Sequence, residues 1–129
     1  MTYRRILVCG GRKYTNRNLI YKTLNELLSD SADEYGMPFP DTCIIAGGAK
    51  GADEIAVDWA VVNWCQFEEY KANWDLYGKA AGMKRNQEML LIGKPDLVLA
   101  FPGGRGTADM VARARKAGVE VMEIKDDSQ

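Results

Sequence analysis

The sequence contains no histidine. That removes the side chain most used as a general base near neutral pH, the usual activator of serine and cysteine nucleophiles, and the commonest metal ligand, so no metal site is expected. Cysteine is scarce: Cys9, Cys43 and Cys65 are odd in number, widely spaced, and set in or beside apolar runs. They read as small buried hydrophobes of a reducing compartment and not as a disulfide frame or a nucleophile. No apolar stretch approaches the length of a membrane span and no secretory pattern opens the sequence, so a cytoplasmic protein without a membrane partner is expected. Basic excess is lacking too. The formal net charge is −1, whereas a sequence-independent nucleic-acid binder carries a clear basic excess or stripe, which argues against nucleic acid as a partner.

What remains is a chain of 129 residues with enough apolar content for one core. The expectation is a single domain over residues 1–125 and a flexible tail over 126–129. Strand and helix signals alternate throughout. Arg4 to Cys9 reads as a first strand and ends at Gly10-Gly11-Arg12-Lys13; Thr15 or Asn16 can cap a helix with Ile20, Leu24, Leu27 and Leu28 on its apolar face. Residues 30 to 41 lack periodicity and read as a surface loop. A second strand, Thr42 to Ala46, runs into Gly47-Gly48-Ala49-Lys50-Gly51, and a helix follows from Ala52 with Ile55, Ala56, Trp59 and Ala60 at core spacing. Phe67 to Ala72 is a charged, edge-type strand. A loop with Trp74, Gly78 and Gly82 leads to a helix ending near Ile92, on which Arg85, Met89 and Ile92 share a face. The fourth strand, Leu97 to Phe101, stops at Pro102-Gly103-Gly104-Arg105-Gly106; a helix from Thr107 to Ala117 closes at Gly118, and Val119 to Ile124 is the fifth strand.

This alternation predicts an α/β, Rossmann-like, doubly wound and largely parallel five-stranded sheet, order 3-2-1-4-5, with helices on both faces. Ligands of such sheets bind beyond the carboxyl ends of the strands where strand order reverses, here between strands one and four. Eight of the 13 glycines fall in the loops after strands one, two and four, which places three glycine loops on one sheet edge. Glycine lets backbone amides approach a ligand, and a helix N-terminus favours an anion, so the edge reads as a phosphate site. No loop supplies the Walker pattern or G-x-G-x-x-G, which disfavours ordinary ATP hydrolysis and nicotinamide redox chemistry; no cofactor is expected.

The candidate binding residues come from that edge. Gly10, Gly11, Gly47, Gly48, Gly51, Gly103, Gly104 and Gly106 line the turns. Arg12 and Arg105 project from them, where guanidinium groups can fork onto phosphate. Asp53 and Asp109 fall in the first turns of helices, as dipole-favoured carboxylates or as ribose-hydroxyl ligands, and Thr107 is a helix cap or a hydroxyl donor to phosphate. Trp74 is a base-stacking platform or a cover for the sheet edge. Lys79, Arg85 and Asn86 lie near the start of the next helix on the same edge.

The ordered motifs Val8-Cys9-Gly10-Gly11-Arg12, Gly47 to Asp53, Trp74, Gly78 to Gly82, Arg85 to Met89 and Phe101 to Asp109 resemble the SLOG superfamily. Within it they are similar to the small single-domain, YspA-type (cpYpsA-related) branch of phage and plasmid genomes. The resemblance implies a Rossmann-like sheet that binds a nucleotide or nucleotide derivative, in a homodimer or higher homo-oligomer. It extends more distantly to two other branches. Lonely-guy phosphoribohydrolases cleave the N-glycosidic bond of a nucleoside monophosphate with an arginine in an R-K-x-x-M-like stretch and a glutamate in P-G-G-x-G-T-x-x-E. Arg85 with Met89 matches the first, but Met110 stands at the glutamate position. Asp109 lies one residue earlier, about 100° round the helix. Arg85 and Asp109 are therefore the only catalytic candidates on that pattern, with Asp53 as a further acid–base group. DNA-processing protein A, which binds single-stranded DNA, carries related first and second glycine loops.

The reading that follows is a protein holding a nucleoside phosphate or an ADP-ribose-like signal as sensor, carrier or sequestering protein. The alternatives are a nucleoside 5′-monophosphate N-glycosidase and a single-stranded DNA-binding module.

Overall fold

The computed structural model describes residues 3–28 and 41–128; the surface loop expected over 30 to 41 lies, apart from Asp41, outside them. Five parallel strands, β1 (Arg5–Cys9), β2 (Cys43–Ala46), β3 (Gln66–Glu69), β4 (Leu97–Ala100) and β5 (Glu120–Glu123), form one sheet in the order β3-β2-β1-β4-β5. The expected strand order is the observed one. The three central strands are unbroken apolar runs because helices cover both their faces, and the polar strands β3 and β5 take the edges. β3 is shorter than the expected Phe67–Ala72: pairing stops at Glu69, after which Tyr70 N donates to Ala46 O and Lys71 settles against Gly48.

Two helices lie on each face. α1 (Arg17–Leu27) and α2 (Ala52–Val62) cover Ile6, Val8, Ile44, Leu97 and Leu99, with Ile20, Leu24 and Trp59 fully buried between. On the opposite face Leu7, Cys9, Ile45 and Val98 meet Met89, Met110, Val111 and Ala114. Alternate residues of β1 thus feed the two cores, as strand geometry requires. Asn16 is the α1 cap, its Oδ1 accepting from Leu19 N at 3.1 Å.

The structure corrects three local expectations. Trp74 does not sit in a loop: Asn73 Oδ1 accepts from Leu76 N and caps a short helix, α3 (Trp74–Tyr77). A 3₁₀ turn (Gly78–Ala80) carrying Lys79 leads into α4 (Ala81–Leu91), which contains Gly82. Ile92 is 66% exposed and off the Met89 stripe, because the helix has ended before it. Finally, α5 (Arg105–Lys116) begins two residues before Thr107. Gly104 occupies the cap position, so Thr107 is not the cap and Asp109 lies beyond the first turn. Gly118 has φ +79 and ends α5 as expected.

Candidate functional site

The carboxyl ends of β1, β2 and β4 carry the three glycine loops, and backbone hydrogen bonds stitch them together. Phe101 N donates to Cys9 O at 2.9 Å, Gly11 N to Pro102 O at 2.9 Å and Ala52 N to Gly11 O at 3.2 Å. This interlock explains part of the glycine content. A Cβ on Gly51, which has φ +81, would overlap Gly11 O, and one on Gly103 would overlap Thr107 Oγ1. These two are packing glycines.

Gly104 and Gly106 differ. Among the described residues neither has a heavy atom within 4 Å of where a Cβ would stand, so no described contact requires them to lack side chains. Both border a cavity of about 670 Å³ between the loops, α4 and the start of α5. α5 has no side-chain cap and no acidic residue in its first turn, so its first N–H groups and positive dipole end face that cavity uncompensated.

The cavity is lined by the cations Arg12, Lys79, Arg85 and Arg105, together with Asp53, Asn86 and Asp109. The structure thus brings the predicted residues together apart from four glycines: Gly51 and Gly103 pack within the loops, and Gly47 and Gly48 line a neighbouring depression. Sequence reasoning missed Cys9, Ala49, Gly82, Met83 and Met89 as lining residues. Met83, 52% exposed, follows Gly82 on α4 and carries no signal that separates it from a surface methionine.

Arg85 is half-buried, which lowers its pKa; its Nη1 donates to Gly47 O and its Nε to Asn86 Oδ1 at 3.1 Å. A Cβ on Gly47 would stand 2.6 Å from Arg85 Nη1, so this glycine makes room for the guanidinium. Asp53, only 7% exposed, shares the same corner. Burial pushes its pKa up to about 6, opposed by the Ala49 N–H at 3.3 Å and by the Arg85 charge. It is the carboxyl of the crevice set to change charge near neutrality.

Asn86 and Asp109 line the cavity, but the Asn86 amide and one Asp109 carboxylate oxygen are engaged with the frame. Asn86 Nδ2 donates to Gly106 O at 3.1 Å and to Asp109 Oδ2 at 3.0 Å, and Arg113 Nε reaches the same Asp109 oxygen at 2.8 Å. Asn86 is therefore the clasp that fixes α4, with Arg85 on it, against the first turn of α5. Met110 is fully buried among Leu7, Cys9 and Met89, directed at the sheet. Cys9 borders the cavity, yet burial pushes its thiol up to about 12, far from a thiolate at neutral pH. The Arg12 guanidinium lies 5.0 Å from the centroid of the half-exposed Trp74 ring and covers part of it. Among the described residues no group of three or more histidine, cysteine or acidic side chains is placed to hold a metal ion, and no helix is long and apolar enough to cross a membrane.

The comparisons with known proteins bear on the fold and the family. A solved structure of DNA processing protein A (DprA) from Streptococcus pneumoniae superposes with a TM-score of 0.68 over 97% of this chain at 18% identity, which shows the shared fold; the chain spans about half (51%) of that protein's length. The Gene 61 protein of Mycobacterium phage D29 is 37% identical over 133 residues, covering 95% of this chain and 98% of the phage protein. The model of the YspA, cpYpsA-related SLOG family matches residues 4–77, which include the first two glycine loops, Asp53 and Trp74. On sequence and fold together, the chain belongs to the YspA, cpYpsA-related SLOG family.

Proposed function

We propose that the crevice binds a nucleotide or nucleotide-derived ligand through a phosphate seated on the first turn of α5. The observation that carries this reading is the pair Gly104 and Gly106. Gly106 lies in the first turn of α5, where glycine is a poor helix former; nothing among the described residues crowds it or the cap residue Gly104, and both border the cavity at a helix N-terminus without a side-chain cap. Phosphate oxygens can then approach the backbone N–H groups closely, while Arg105, Arg12 and Lys79 supply charge from the rim and Arg85 from the wall. Asp53 is the residue for a ribose hydroxyl, and the Arg12–Trp74 pair offers a flat surface for a base. SLOG membership fits nucleotide-related binding or processing.

Binding without turnover is the reading the side chains favour. Asp109 Oδ2 is already held by Asn86 and Arg113, and Met110 lies in the core. The deciding measurement is calorimetry with AMP, ADP-ribose and NAD, run beside an assay for free base. Saturable binding of one of them, weakened by Arg105→Ala without base release, is expected. No heat with any of them would refute the phosphate crevice, and base release abolished by Asp53→Ala would replace the binder with the hydrolase.

A further inference from the structure

Beyond the main cavity, on the far side of Arg12, Trp74 and Arg85, lies a second depression of about 550 Å³ on the loop after β2. Its charged lining is Arg12, Lys13, Lys50, Lys71 and Arg85, with no carboxylate among its residues. The chain has 18 acidic residues for 17 basic ones, so this segregation is not a by-product of composition. Among the described residues Lys13, Lys50 and Lys71 make no ion pair, although other cations do, as in Arg5–Glu68 and Arg17–Asp58. Lys71 is also seated. Gly48, with φ +71, lies flush beneath its stem, where a Cβ would stand 2.6 Å from Lys71 Cγ, so the stem is supported while the ammonium stays free. Mutually repelling cations gathered around one concavity are stabilised by an anion placed between them.

We propose that this depression is a second phosphate subsite, and that the ligand carries two phosphate groups on either side of the Arg12–Trp74 pair. The inference rests on reading the main crevice as the first phosphate site. The ligand class is a nucleoside bearing a phosphate at each end of its ribose, as in a free 5′-phosphorylated dinucleotide or at the 5′ end of a single strand. The inner phosphate meets backbone N–H groups at α5; the outer one meets side-chain charge, chiefly the exposed lysines, with Arg12 and Arg85 shared between the two depressions. Its contribution is therefore that of exposed charge pairs, additive and screened by salt.

Titrations of wild type and the Lys50→Ala/Lys71→Ala variant with AMP, pApA and a 5′-phosphorylated adenylate hexamer test this. Wild type is expected to bind pApA roughly 5- to 10-fold tighter than AMP in low salt, and the double variant to lose that advantage while keeping its AMP affinity. Both lysines are exposed and only the Lys71 stem packs, on Gly48, so the melting temperature should fall by no more than a degree or two, about the size expected of a surface substitution. AMP binding without any gain from the second phosphate, or an equal loss for both ligands in the variant, overturns the second subsite and leaves the crevice intact. If none of the three probes binds wild type, the crevice reading fails and this one with it. Further tightening with the hexamer supports a strand end as the source; equality with pApA supports a free dinucleotide.

Discussion

Substituting Gly106 by alanine separates what the fold needs from what the ligand needs. Gly106 is the second residue of α5, and a Cβ there meets nothing within 4 Å. Its carbonyl accepts from Asn86, and that bond is untouched by the change. Replacing glycine by alanine in a helix stabilises by about 0.5–1 kcal/mol through lower entropy of the unfolded chain. For a domain of this size that corresponds to a rise of roughly 2–4 °C in Tm. The added methyl, however, lies on the turn that borders the cavity and whose N–H groups would hold phosphate. Charge-assisted hydrogen bonds contribute about 1.5–3 kcal/mol each, and losing one weakens binding at least ~10-fold. Scanning calorimetry and ligand titration on the same preparation should move in opposite directions, with Tm up and affinity down. Unchanged affinity with raised Tm would refute the phosphate seat at α5, and a fall in Tm would refute the open geometry of this turn.

Asp53 should make affinity and stability pH-dependent. Its folded pKa of about 6 lies above the ordinary 3.8, so its folded-state contribution is most favourable below pH 4 and is lost as pH rises through 6. Asp53→Asn should therefore stabilise at pH 7.5 by up to about 2–3 kcal/mol, less the loss of Arg85's countercharge, and by little at pH 4; chemical denaturation at the two pH values checks this. NAD or ADP-ribose, whose phosphates do not titrate near 6, should bind more weakly at pH 5.5 than at 7.5 to wild type but not to Asp53→Asn, because protonation takes the charge from the acceptor of the ribose hydroxyl. Asn86→Ala leaves Asp109 and the Gly106 carbonyl short of a donor and should cost about 1–3 kcal/mol in urea denaturation, with ligand affinity falling as Arg85 loses its clasp. Met110→Glu, which restores the glutamate of the hydrolase pattern, should destabilise by several kcal/mol and yield no base release, because the side chain enters the Leu7–Cys9–Met89 core. A stable, active Met110→Glu protein would show that this helix face is open to the crevice.

The elements that decide the fold are legible locally. Unbroken apolar runs at β1, β2 and β4 against polar β3 and β5 mark central and edge strands, and glycine after each central strand marks the carboxyl edge. The misread positions are those where a local signal competes with tertiary contact. Glycine at 82 reads as a breaker, yet it sits within α4, where Trp74 Cη2 comes 3.5 Å from its built Cβ. Thr107 reads as a cap, but the helix starts earlier.

The sequence by itself determined the parallel α/β sheet, its strand order, the edge that carries the site and most of the side chains gathered there. Periodicity and glycine placement are local properties, and strand alternation with helices leaves few topologies open. Only the tertiary structure divided those side chains by role. It decided which glycines serve packing and which face open space, that Asn86 clasps two helices, and that Asp53 is buried enough to titrate near neutrality. It also showed that a chain of net charge −1 gathers Arg12, Lys13, Lys50, Lys71 and Arg85 around one depression. Burial, hydrogen-bond partners and charge clustering are set by residues far apart in the chain, and no local window contains them.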